Sequence, residues 1–134
     1  MTLSKLFTGK HEGMGHWYDD AGDDGAYQIT HHTELTPDGF KFSFHHIFDN
    51  GDPDIEAAFE AKWTQNGHFA LKASGQLIGK GYLRDDFLHY AMAFGENIVE
   101  SNWTARPDGL VIYGSATRNT AGNHISWREV LTAC

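Results

Sequence analysis

The amino-acid sequence predicts an all-β protein that closes into an antiparallel up-and-down barrel of about eight to ten strands. Segments of alternating apolar and polar residues recur at roughly 8–12-residue spacing, turn-forming residues separate them, and no segment has a helical period. Short turns between successive strands make a meander, and a long meander tends to close because closure removes its exposed edges. A barrel of this size leaves room for an internal cavity that holds one small ligand.

Length, charge and cysteine usage narrow the class of protein. The chain has 134 residues and a formal net charge of −8 with histidine neutral. We expect a single domain over residues 1–134. The negative charge argues against nucleic acid or an anionic membrane as a partner, because both are bound by basic surfaces. Cys134 is the only cysteine, and the segment MTLSKLFTGK lacks a long apolar run. We therefore expect a cytoplasmic protein, for which a homodimer is possible.

The first predicted strand covers residues 9–18. Gly13 and Gly15 alternate there with Met14 and His16, and glycines within a strand mark a bend or a close backbone approach. The acidic, glycine-rich sequence DDAGDDG at residues 19–25 predicts a solvated turn that leads into the next strand.

The second and third strands form a hairpin over residues 26–50. Pro37 suits the first central position of a turn, and Gly39 tolerates the backbone conformation that closes it. If Leu35 pairs with Phe40 across this turn, Ile29 faces His46 and His31 faces Phe44. The turn chemistry therefore predicts the register of the whole hairpin.

This register sorts four histidines onto two faces, because successive side chains of a strand alternate. His31 and His46 share one face as diagonal neighbours, roughly 7 Å apart or less. Their companions on that face are mostly apolar: Tyr27, Ile29, Leu35, Phe40, Phe42, Phe44 and Phe48. His32 and His45 lie on the other, polar face. The sequence thus predicts one histidine pair inside an aromatic cavity and one in solvent.

The second half of the chain continues the meander. A strand over residues 55–65 places Trp63 on its apolar face, and a bulge at Asn66-Gly67 would pair Trp63 with Leu71. Residues 68–83 form either two strands around Ser74-Gly75 or one kinked strand. Further strands are predicted at residues 87–94 and 98–105, and another follows the turn at residues 106–109. After the turn RNTAGN, the last strand covers residues 124–131. The turn before residue 110 predicts that Trp103 faces Ile112.

Both chain ends resemble lipocalin-like (calycin) bacterial barrels, distantly those of the nitrobindin type. The opening LFTGKHEGMG at residues 6–15 keeps the glycine spacing of their G-x-W-x-G-x-G pattern, although His11 stands where their tryptophan would be. The closing HISWREVL at residues 124–131 is similar in place to their last strand. The resemblance implies a ligand-binding barrel, with His124 as a haem ligand in the nitrobindin reading or Arg128 as a late basic residue in the lipocalin reading.

The inward histidines have three interpretations. His31 and His46 are neutral core residues satisfied by neighbours, or an acid–base pair whose pKa values burial lowers, or metal ligands. Zinc would need a third protein ligand, for which His89 or His124 is available, but no known zinc spacing occurs. We favour acid–base work by His31 and His46 and expect no bound metal. His11 and His16 are expected on the surface.

The remaining candidate residues would contact a ligand in the cavity. They are Tyr27, Phe42, Phe44, Phe48, Trp63, His89, Tyr90, Trp103, His124 and Arg128; for residues 87–94 either face could turn inward. The preferred hypothesis is a cofactor-free lyase, isomerase or cyclase acting on a small aromatic or unsaturated hydrophobic compound. The alternatives are a non-catalytic carrier or sensor of such a compound, and a haem protein.

Overall fold

Ten antiparallel strands close into one barrel in the computed structural model, which describes residues 3–118 and 123–134. Each strand pairs with its neighbours in sequence, and β1 pairs with β10 to complete the closure. A short 3₁₀ helix precedes them at Lys5–Phe7. The strands are β1 (Gly9–Asp19), β2 (Asp24–Thr36), β3 (Gly39–Phe48), β4 (Ile55–Trp63), β5 (His68–Ala73), β6 (Gln76–Arg84), β7 (Phe87–Phe94), β8 (Asn97–Arg106), β9 (Gly109–Arg118) and β10 (His124–Ala133). The predicted fold class is confirmed.

The β2–β3 hairpin has the predicted register. Leu35 pairs with Phe40, His31 with Phe44, and Ile29 with His46. His31 is buried, and the His46 side chain is 14% exposed. The predicted division of the four histidines is also confirmed, since His32 and His45 are more exposed and pair with carboxylates on the outer face. Leu35 alone departs from the predicted burial: it is 50% exposed, at the end of the barrel.

The β4–β5 connection differs from the prediction. Trp63 pairs with Phe69 rather than with Leu71, so the expected bulge is wrong. Asn66 and Gly67 both have left-handed backbone conformations, and the backbone N–H of Thr64 donates to the carbonyl of His68. These features make a tight loop that needs no extra residue in the strands. Ser74 and Gly75 form a true turn between β5 and β6. The turn predicted at RNTAGN includes residues 119–122, which lie outside the described residues.

The two ends of the barrel differ in packing. The 3₁₀ helix covers the end at which β1 begins, and Phe7 packs there beside Trp103 with no exposed surface. We call this the closed end. At the opposite end, inward-facing aromatic side chains are only partly buried; they include Trp17, Phe44, Phe48 and Trp127. We call this the open end, because solvent reaches the inner face of the barrel there.

No helix within the described ranges is both long enough and apolar enough to cross a membrane.

Candidate functional site

Three polar side chains from three strands meet inside the barrel: Tyr27 of β2, His46 of β3 and Glu129 of β10. The Tyr27 hydroxyl donates to Oε2 of Glu129 over 2.6 Å, and Nε2 of His46 lies 3.4 Å from the same oxygen. Glu129 is 3% exposed and Tyr27 is 2% exposed. The rings of Tyr27 and His46 are in contact, with centroids 4.7 Å apart. We call this group the Tyr27–Glu129–His46 cluster.

The backbone of β1 explains how Tyr27 reaches Glu129. Gly15 is the pairing partner of Tyr27 on one side and of Glu129 on the other. A Cβ atom at Gly15 would overlap the Tyr27 ring, so the missing side chain lets the ring lie over β1. The glycine in this strand therefore marks a close approach, as the sequence indicated, and that approach connects two strands of the cluster.

Burial changes the acidity of the carboxyl group. It raises the pKa of Glu129 to about 7, and the hydrogen bond from Tyr27 opposes this rise. At neutral pH the side chain therefore exists in both protonated and ionised forms. Burial, together with the charge of Glu129, raises the pKa of Tyr27 well above its usual range. The phenol consequently stays protonated and acts as a hydrogen-bond donor.

The imidazole of His46 has the opposite shift. Burial lowers its pKa to about 4, with a smaller effect from His45. Phe44 stacks on the ring with centroids 4.7 Å apart. A low dielectric favours the pair of neutral groups, carboxylic acid and imidazole, over two separated charges. Nε2 of His46 and Oε2 of Glu129 lie 3.4 Å apart, and with these pKa values the proton of the pair is held by the carboxyl and not by the imidazole.

His31 lies deeper in the barrel than the cluster. Trp103 contacts it edge-on with centroids 4.7 Å apart, and Phe42 stacks on its other side. Burial, followed by the charges of His11, His46 and His32, lowers the pKa of His31 to about 3. His31 is therefore a neutral imidazole within an aromatic wall. It has no hydrogen bond to Glu129 among the described residues.

The structure divides the other candidate residues into three groups. The first surrounds the two inner histidines, the second lies near the closed end, and the third lies on the outer face. Phe44 and Phe48 contact His46, while Phe42, Tyr90 and Trp103 form the wall beside His31. Trp63 packs on Phe40 and Phe69 near the closed end, away from the cluster.

The third group lies on the outer face of the barrel and not in the cavity where it was predicted. Nδ1 of His89 is 2.8 Å from the side-chain oxygen of Asn102, whereas its neighbours Leu88 and Tyr90 are buried inside. His124 is exposed. Arg128 donates to the Tyr113 hydroxyl over 3.0 Å. These side chains do not line the interior, because their strands turn the alternate residues inward.

Sequence reasoning misses two inward residues. Glu129 is not among the predicted site residues, although Ile125, Trp127 and Leu131 share its face of the strand. His11 is expected on the surface but is 2% exposed; it shares a face with Gly13, Gly15 and Trp17. In both cases the alternation of the strand predicts that the side chain points inward, whereas its polar character suggests a surface position.

The described residues contain no group of three or more histidine, cysteine, aspartate or glutamate side chains placed to hold a metal ion. His89 and His124, the third ligands considered for zinc, lie on the opposite side of the barrel wall from His31 and His46.

Comparison with known proteins identifies the fold. No family model matches the sequence, and no curated protein matches it. Among solved structures, the S-type phycobiliprotein lyase CPES from Guillardia theta is similar with a TM-score of 0.77 at 9% identity, covering 97% of this chain and 89% of that chain. Rv2717c from M. tuberculosis is similar with a TM-score of 0.67 at 10% identity, covering 97% and 94% respectively. Both likenesses concern the fold and agree with the closed antiparallel barrel described above.

Proposed function

We propose that this barrel is a cofactor-free enzyme that moves a proton on a small aromatic or unsaturated molecule, in a lyase or isomerase reaction. The observation that carries the proposal is the buried Glu129 carboxyl, which is held by Tyr27 and lies 3.4 Å from a neutral imidazole. A catalytic acid or base works best when its pKa lies near the working pH. The pKa of about 7 at Glu129 meets that condition.

Each member of the cluster has a separate role. The Glu129 carboxylate takes a proton from a carbon of the substrate and, as the acid, returns it to another position or to a leaving group. Neutral His46, 3.4 Å from the same carboxyl oxygen, is the second base of the site: it takes a substrate proton when Glu129 is already protonated and returns it to the substrate, so both groups are restored at the end of the cycle. Tyr27 holds the reacting oxygen in place and stays protonated. Such an isomerisation or elimination balances without an oxidant or a reductant.

The walls of the open end support the choice of substrate. Side chains that contact or neighbour His46 are aromatic, and those nearest the open end are partly exposed. Aromatic rings favour flat, apolar molecules, which stack on them or meet their edges. The similar fold of a protein named as a phycobiliprotein lyase supports the view that such barrels can host lyase chemistry. At 9% identity that likeness concerns the fold, and the chemistry rests on the cluster.

A deuterium-exchange experiment tests the proposal through the proton-transfer step alone, whatever the complete reaction is. A panel of small aromatic and conjugated compounds with acidic C–H bonds is first screened by quenching of tryptophan fluorescence. Bound compounds are then incubated in D₂O and followed by proton NMR. We expect at least one compound to exchange a C–H proton with the wild-type protein and not with Glu129→Gln. If compounds bind but none exchanges or is converted, the barrel is a carrier or sensor.

We do not propose haem binding by the route that the nitrobindin resemblance implies. His124, the implied ligand, is exposed and lies on the outer face of β10. When protein is titrated with hemin, we expect no stoichiometric Soret band that depends on His124. The control is His124→Ala, which should give the same spectrum as wild type. A sharp, stoichiometric band that this substitution abolishes would establish haem as the ligand.

A further inference from the structure

A second group of polar side chains lies deeper in the barrel, between the Tyr27–Glu129–His46 cluster and the closed end. It consists of His11, His31 and Thr33. His11 pairs directly with His31 across the β1–β2 ladder, and Thr33 follows His31 by two positions, so all three side chains share the inner face. Each is at most 2% exposed. The group is fully enclosed by the barrel.

These three residues contain buried polar atoms without partners. Among the described residues, Nδ1 of His11, Nδ1 of His31 and Oγ1 of Thr33 have no hydrogen bond of acceptable geometry. The carbonyl of Gly9 lies near the His11 ring and opposes the lowering of its pKa by burial, but it does not satisfy Nδ1. Buried polar atoms are nearly always paired with protein or with ordered water. Three unpaired atoms on neighbouring residues therefore indicate a missing partner.

The aromatic side chains that contact His31 do not supply that partner. Phe42 stacks on one side of His31, and Trp103 contacts it edge-on. The only polar atom of the indole, Nε1, already donates to the Ser101 hydroxyl over 3.1 Å. Phe7 and Phe40, also at this end, are fully buried. The three residues with unpaired atoms therefore lie in mostly aromatic surroundings, in which Tyr90 and Ser101 are the other polar residues named.

Water fits the chemistry of these three atoms. A neutral imidazole offers a donor on one nitrogen and an acceptor on the other, and a hydroxyl does both. A water molecule also donates and accepts, so it matches either tautomer of each histidine. Buried waters in proteins typically make about three hydrogen bonds, which is the number of unpaired atoms here. We propose that an ordered internal water site is formed by His11, His31 and Thr33 on the closed side of the barrel.

Replacing Thr33 by valine distinguishes a site that holds water from one that does not, because the two cases predict opposite changes in the thermal midpoint of unfolding. If a water is bound, Thr33→Val removes one of its partners, and the thermal midpoint should fall by about 3–5 °C. If the hydroxyl is truly unpaired, the same change relieves a buried polar group and the midpoint should rise. Thr33→Ser, which keeps the hydroxyl, serves as the rescue variant.

Counting the internal water gives the second readout. Oxygen-17 relaxation dispersion should show a long-lived water in wild type and in Thr33→Ser, and one fewer in Thr33→Val. Thr36→Val is the matched control, because the Thr36 hydroxyl is also buried and unpaired but belongs to the hairpin end; it should leave the count unchanged. A crystal structure at atomic resolution would locate the water between the two imidazoles.

Other results would overturn the proposal. An increase in the midpoint for Thr33→Val with an unchanged water count would mean that no water is bound by His11, His31 and Thr33. A metal ion found between His11 and His31 by elemental analysis would mean that water is not the occupant. Neither readout measures turnover, so the water site can fail while the proposed catalysis survives, and the reverse also holds.

Discussion

Replacing Glu129 by glutamine should stabilise the folded protein by about 3 kcal/mol at pH 8 and make it inactive. The stability gain follows from the acidity of the buried group. Folding raises the pKa of Glu129 from 4.5 to about 7, and each pKa unit corresponds to about 1.4 kcal/mol. Glutamine has nearly the same shape, can still accept the hydrogen bond from Tyr27, and never ionises.

The pH dependence gives this prediction its sign. Because the folded protein holds the Glu129 proton more tightly than the unfolded chain does, this group stabilises the folded state below pH 4.5. That contribution is lost as the pH rises through about 7, where ionisation leaves a charge buried. The difference between Glu129→Gln and wild type should therefore be small at pH 4 and grow to its full value by pH 8. His31 and His46 titrate in both proteins and largely cancel.

Chemical denaturation at several pH values measures the effect, and Glu12→Gln on the exposed face of β1 is the matched control. A positioned general acid or base contributes about 10²–10⁴-fold to the rate, so turnover of any identified substrate should fall by at least that factor. If Glu129→Gln is instead less stable than wild type at pH 8, the carboxylate is a structural partner of Tyr27 and His46, and the proposed role is wrong.

His46→Gln should lower turnover by about 10²–10⁴-fold, while His45→Gln should leave it nearly unchanged. The two residues are adjacent on β3 but point to opposite sides of the barrel wall: His46 toward Glu129, and His45 toward Asp54 at 2.8 Å. Glutamine keeps much of the polarity, so the affinity for a ligand should change only several-fold, as expected for a neutral hydrogen bond worth about 1 kcal/mol. The readouts are the rate and the dissociation constant of each variant.

His31→Gln extends the comparison to the deeper histidine that the sequence also indicates. With no hydrogen bond to Glu129, its loss should cost less, about tenfold in rate. Its own matched control is His32→Gln on the outer face. If both His46→Gln and His31→Gln convert the substrate within a few-fold of wild type, the histidines only line the interior, and proton transfer does not depend on them.

The sequence predicted the fold through its turns and alternation. Pro37 and Gly39 set a turn whose register extends along both strands, so the positions of His31 and His46 followed from counting. The β4–β5 register failed because two consecutive left-handed residues, Asn66 and Gly67, make a loop whose length is not evident from local chemistry.

The site was predicted less completely than the fold. Glu129 joins β10 to the β2–β3 hairpin only through barrel closure, so its contacts with Tyr27 and His46 are not evident from the sequence. Reading the last strand by alternation alone would have placed Glu129 with Trp127 and Leu131, on the inner face. The polar character of glutamate and of His11 favoured the solvent side, and the burial seen for both overrides that preference. The sequence could therefore have indicated this site through a charged residue whose neighbours on the same strand face are apolar.

The bond between Tyr27 and Glu129 joins residues 102 positions apart in the chain. Hairpins of neighbouring strands can form from local contacts, but the pairing of β1 with β10 requires a large loop to close, and such contacts form slowly. Until β10 docks, Glu129 is a solvated carboxyl of ordinary acidity and Tyr27 lacks its partner. The chemistry of the barrel therefore depends on the pairing of β1 with β10, and a local opening of β10 would remove it while most of the strands remain paired.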